Sequence, residues 1–150
     1  MNNTVSLSEL VPIMQELFSQ GKTVTLTARG SSMRPLLRDG VDSVVLKGLA
    51  NGEELRRLDV PLYRREDGKY VLHRIVKVNP DGFDMCGDGQ VAVEKGIPKE
   101  NIEAIAEAFI IKGKYVPVSS KKYRLYSALW CAVRPVRGYI FKIAGLLKRR

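Results

Sequence analysis

The chain has 150 residues, 45% hydrophobic and 27% charged, a balance that supports one domain with a buried core and excludes a disordered polyelectrolyte. Its two cysteines, Cys86 and Cys131, form no CxxC or Cys/His cluster, so neither a zinc site nor a disulfide framework is indicated, no metal or cofactor is expected, and a reducing compartment fits best. The formal charge of +9 is concentrated at one end: residues 109–150 hold 11 Lys/Arg and no acid, which leaves 14 basic against 16 acidic residues in 1–108.

In chain order, "SLSELVPIMQELFSQG" places Leu7, Leu10, Val11, Met14, Leu17 and Phe18 at steps of three and four, which predicts a helix within residues 1–22. Ser6 with Glu9 forms a capping pattern, Gly21 is a stop signal, and Pro12 is placed to kink the segment. The opening "MNNTVSLSELVPIM" has no charged n-region and no long apolar run, so neither a secretory signal nor an N-terminal membrane span is expected. "KTVTLTA" then alternates as a half-buried strand does, and "TARGSSMRPLLRDG" interrupts it.

"VDSVVLKGL", "DVPLYRR", "GKYVLHRIVKV" and "GFDMCGDG" read as further strands separated by Gly, Asn-Pro and Asp-Gly turns. "IEAIAEAFIIKGKYVPV" opens as either a helix or a strand and closes as a hairpin. The expectation is a mainly β fold of several antiparallel strands over residues 23–118, without repeats or low-complexity segments.

Residues 119–150 mix Leu, Trp, Val, Tyr, Ile and Phe with Lys and Arg around Pro135, and the longest uncharged run, Leu125 to Val133, is too short to span a bilayer. A basic amphipathic helical tail is expected. It has two readings, an interfacial helix on anionic lipid or a helix packed on the domain's own core.

A serine hydroxyl becomes a nucleophile only when a neighbour removes its proton and nearby donors stabilise the oxyanion that follows. Ser32 stands in a Gly-Ser-Ser-Met-X-Pro turn after a strand, although serine is common in turns for local reasons. His73 is the only histidine. Strand periodicity would set it beside Val71, Ile75 and Lys77, a partly apolar wall that keeps the imidazole neutral as a general base requires.

The order "SMRP", "HRIV", "GDG" resembles the signal peptidase I superfamily, in particular the Ser–His branch found in archaeal and endoplasmic-reticulum signal peptidases, where "SMxP" carries the nucleophile and "HRI" the base. The likeness covers roughly residues 23–118. It implies a signal-peptidase-like β-fold and a serine endopeptidase acting on a leader or signal-like peptide, with Ser32 as nucleophile and His73 as general base. The family's "GDN" is followed six residues later by the carboxylate assigned as third member. Here "GDGQVAVE" puts Asp88 in the first place and Glu94 in the second, so both are candidates, Glu94 to orient His73 and Asp88 to shape the site.

Many relatives carry a serine two residues before the nucleophile as an oxyanion donor, and this chain has Gly30 there. Backbone amides, with Ser31 as a further donor, would have to serve; loss of one such donor costs roughly 2.7–4 kcal/mol in other enzymes. Ser31 is also the rival nucleophile, set aside because Ser32 directly precedes Met-X-Pro. The resemblance makes Met33 a wall of the substrate pocket. Arg74 is expected in a structural ion pair with Asp42 or Asp88, and Lys77 or Cys86 would be the alternative reactive groups if the resemblance misled.

The implied partners are a peptide or preprotein substrate and, through the tail, an anionic membrane surface, at a bacterial-type cytoplasmic or peripheral membrane location. Three other classes compete. A catalytically silent peptide-binding or membrane-associated relative would keep the fold. A self-cleaving repressor would need a DNA-binding module for which the residues before the first strand are too few. Nucleic-acid binding through the tail's aromatic and basic residues is the least favoured.

Overall fold

The computed structural model describes residues 6–149; the outer ends of the expected 1–22 and 119–150 segments, including part of the stretch read as free of a signal, lie outside the described residues. Helix α1 spans Leu7–Ser19. The Ser6 amide donates to Glu9 Oε2 at 3.2 Å, which closes the N-terminus. At the other end Gly21, at φ +74°, donates to Phe18 O and Lys22 donates to Leu17 O, the paired bonds of a Schellman stop. Pro12 is exposed and the helix continues through it, while Val11 and Met14 face the core.

Nine strands follow among the described residues: β1 Val24–Thr27, β2 Ser43–Lys47, β3 Pro61–Arg64, β4 Tyr70–Leu72, β5 Arg74–Asn79, β6 Gly82–Cys86, β7 Glu94–Ile97, β8 Ile102–Ile111 and β9 Lys114–Pro117. All pairings are antiparallel, so the fold is mainly antiparallel β, as expected. One sheet runs β1-β2-β8-β3-β4 with β9 also on β8, and a smaller sheet runs β5-β6-β7. Helices α2, Lys121–Ala132, and α3, Arg137–Lys148, complete the chain.

The segment that reads as helix or strand is the long central strand β8. Its Ala and Glu residues have helical propensity, but pairing with β2 on one side and with β3 and β9 on the other decides the outcome. The hairpin to β9 turns on Lys112 and Gly113, both at positive φ, which matches the twist of the flanking strands.

"GKYVLHRIVKV" is not one strand. β4 pairs with β3 in the large sheet and β5 pairs with β6 in the small one, so the chain changes sheets at His73. Partner availability overrides the alternation: β5 pairs with β6, and α2 covers Arg74. His73, Arg74 and Ile75 are therefore buried in succession, whereas Lys77 is exposed.

The tail is not detached from the body. Tyr123 joins the core that contains Met14, Leu37, Val44, Leu46 and Phe109, and Ser127, Cys131 and Arg137 are buried. Position 119 therefore marks a change in composition without a break in packing. No helix among the described residues is long and apolar enough to cross a membrane.

Candidate active site

Ser32 lies in the turn after β1. Gly30 adopts φ +80°, a left-handed conformation that glycine takes without a steric penalty, and its amide is held by Asp39 Oδ1 at 2.8 Å. That bond removes Gly30 from the set of oxyanion donors. Among the described residues the Ser32 and Met33 amides donate to no protein acceptor. Ser31 is exposed. Ser32 lines a cavity of about 560 Å³, and Met33, 5% exposed, both lines that cavity and packs in the core.

The cavity is walled by Leu7 and Leu10 of α1, by Leu26 to Gly30 from β1 and the turn that follows it, and by Tyr70, Val71 and Leu72 of β4. β1 and β4 are the two ends of the sheet order. The large sheet thus curls until its free edges share one apolar groove with Ser32 on its wall.

His73 is 1% exposed, and burial drives its pKa down from 6.5 to about 4 against the opposing pull of Glu94, so the ring is neutral near pH 7. Its Nδ1 lies 3.1 Å from the Tyr63 hydroxyl and 3.7 Å from Glu94 Oε1. Glu94 also accepts from Arg65. Burial raises the Glu94 carboxyl, but hydrogen bonds from Arg65 and Tyr63 outweigh it and hold the pKa below the ordinary carboxylate value. Burial, followed by Glu94, pushes the Tyr63 phenol well up, so it keeps its proton.

This order of donors has a chemical consequence. An ionised Glu94 can only accept; with the Tyr63 proton directed at it the phenol oxygen accepts Nδ1–H, whereas with the Tyr63 proton on Nδ1 the ring carries its own proton on Nε2. In the first arrangement the lone pair resides on Nε2, which is buried without a hydrogen-bond partner among the described residues. Such an orphan costs on the order of 1–3 kcal/mol and marks a place where a partner is missing.

The His73 ring comes close to the serine turn at Gly87. A methyl group added at Gly87 would overlap the Ser32 carbonyl oxygen and lie 3.1 Å from His73 Cδ2, the carbon bonded to Nε2. Backbone of the two residues therefore meets ring at Gly87, although no hydrogen bond joins Ser32 Oγ to Nε2.

The second carboxylate does not orient the histidine. Asp88, 1% exposed, takes Arg74 Nε and Nη2 on its two oxygens at 2.8 Å each and also accepts from the Tyr126 hydroxyl at 2.9 Å. Arg74 Nη1 donates to Leu58 O, the Tyr123 hydroxyl and Ser127 Oγ, each at 3.0 Å. Burial opposes the charge on Arg74, but the hydrogen bonds it donates to Asp88 win and raise its pKa. Of the two expected partners for Arg74 it is Asp88; Asp42 pairs with Arg38.

The turn that bears Asp88 is fastened from the C-terminal side. Arg137 donates to the Gly87 and Gln90 carbonyls, Trp130 Nε1 donates to Asp88 O at 2.8 Å, and the Gly89 amide donates to Ser32 O at 2.8 Å. Cys86 lies in this region, but burial pushes its thiol pKa up, opposite to an activated thiolate.

Tyr63, Arg65, Trp130 and Arg137 were not legible as site residues in the sequence. Tyr63 had one usable signal: it pairs with Val71 across β3–β4, which makes His73 its diagonal neighbour on the same face. The other three are brought in by tertiary packing. Comparison with protein-family models and with curated proteins returns no match for the chain.

Proposed function

We propose that this protein is a serine endopeptidase of the signal peptidase I type that cleaves leader or signal-like peptides, with Ser32 as nucleophile and His73 as general base. The observation that carries the reading is the neutral, buried His73, whose ring comes close to the serine turn at Gly87 and whose Nε2 has no partner among the described residues.

An extended peptide enters the groove and adds to a free sheet edge, β1 or β4, with its apolar side chains in the cavity. Nε2 takes the Ser32 proton as Oγ attacks the scissile carbonyl. The Ser32 and Met33 amides are the donors available to the oxyanion. The imidazolium then gives its proton to the leaving amine, and a water deprotonated by Nε2 hydrolyses the acyl-enzyme. Tyr63 and Glu94 hold Nδ1–H throughout. Asp88 acts as a positioning residue through Arg74 and the Gly87–Gly89 backbone.

A test compares wild type, Ser32→Ala and His73→Ala on leader peptides and with a fluorophosphonate probe. Cleavage and labelling of Ser32 are expected for wild type, neither for Ser32→Ala, and a rate lower by about 10²–10⁴-fold for His73→Ala. A second reading, a silent peptide-binding relative, is favoured by the absence of the Ser32 Oγ–Nε2 hydrogen bond; a wild type that binds peptide but never reacts with the probe would establish it.

A further inference from the structure

Among the described residues, helix α3 has one side attached to the protein and one side without a partner. Arg137 is buried, and Phe141 packs against Trp130 with ring centroids 6.2 Å apart. Tyr139, Ile140, Ile143, Leu146 and Leu147 are 39–70% exposed. At 100° per residue these five fall within about 120° of the circumference, a continuous apolar stripe on the face away from Phe141. Lys142 and Arg149 fall along one border of the stripe and Lys148 beyond the other, and residues 109–150 contain no acid.

We propose that α3 docks the protein on an anionic membrane surface, with the stripe set among acyl chains and the flanking cations against lipid headgroups. Charge decides between occupants. A second copy would bring the same cationic border against itself, and nucleic acid would satisfy the cations while leaving five aliphatic and aromatic side chains in water. An anionic bilayer satisfies both faces at once. The helix is too short to span, so it lies in the interface plane. The inference is independent of the peptidase reading, because none of the five side chains lines the cavity.

The test uses the whole chain, since deleting residues 120–150 would strip partners from Arg74, Asp88 and Gly87. Sedimentation with phosphatidylcholine vesicles is compared with sedimentation with vesicles containing about a third phosphatidylglycerol, for wild type, for Ile143→Ser/Leu146→Ser/Leu147→Ser, and for Lys142→Glu/Lys148→Glu. Wild type is expected on anionic vesicles only, with binding that weakens as salt rises. The apolar variant is expected to bind about a hundredfold more weakly with an unchanged melting temperature, and the charge variant to lose the preference for anionic lipid. Wild type that ignores anionic vesicles, or an apolar variant that binds as wild type does, overturns the proposal. So does a concentration-dependent dimer that the apolar variant abolishes, because the stripe's occupant is then a second copy.

Discussion

Acid should unfold this protein through its one histidine before it does so through its carboxylates. His73 titrates at about 4 in the folded chain, because burial disfavours the imidazolium, and at 6.5 when exposed. Between these values the unfolded chain binds a proton that the folded chain refuses. Stability is therefore complete above pH 6.5 and falls as pH drops toward 4. A gap of about two and a half pH units corresponds to about 3 kcal/mol, a large part of the stability of a domain this size. Asp42, held below the ordinary carboxylate range by its hydrogen bond from Arg38, and Glu94 also lose stability in acid, but only as pH falls through about 4 and below. The loss between 6.5 and 4.5 is carried by His73; burial raises the Asp59 carboxyl, whose protonation favours the folded chain as pH falls and so works the other way in both wild type and variant. Urea unfolding of wild type and His73→Gln at intervals from pH 7.5 to 4.5 isolates the effect, since other titrations are common to both and cancel. Wild type should lose about 2–3 kcal/mol over that range, and the variant about 0.5 or less. Parallel curves for the two proteins would refute a neutral, desolvated His73 and with it the proposed base.

Three further outcomes are expected. Gly87→Ala, whose methyl would overlap the Ser32 carbonyl oxygen, should cost about 1–3 kcal/mol in urea unfolding and slow probe labelling of Ser32, whereas Gly138→Ala, with only an ordinary 3.7 Å contact to Val91, should do neither. Asp88→Asn leaves the buried Arg74 charge without its counter-charge and should lower stability by about 3–5 kcal/mol by the same measurement. Tyr63→Phe removes the acceptor for Nδ1–H; steady-state kinetics on a cleaved peptide should show kcat lower by about 10²-fold with KM unchanged.

The elements whose cause is local were legible in the sequence. The Ser6–Glu9 cap and Gly21 stop bound α1, and the Lys112–Gly113 turn reports the β8–β9 hairpin. The nature of β8's opening and the break at His73 were not, because each depends on which strand lies alongside. The same division runs through the site. Ser32 and His73 stand in short motifs, and Glu94 follows at a fixed spacing, whereas the choice of Glu94 over Asp88 as the group facing Nδ1 is made by Arg74, which engages both Asp88 oxygens. Tyr63 and Arg137 act at a distance in sequence, the first across a hairpin register and the second 50 residues from the Gly87 carbonyl it holds.

That last contact orders events during synthesis. A nascent chain can emit the serine turn and the histidine early, but the hydroxyls, indole and guanidinium that fasten Arg74, Asp88 and Gly87 all come from residues 123–137. Until the ribosome has released that stretch, the three segments that meet at Gly87 are joined only by their own contacts, the Gly89–Ser32 bond, the Arg74–Asp88 pair and the β5–β6 ladder. The helices translated last thus complete the hydrogen-bond set around Gly87.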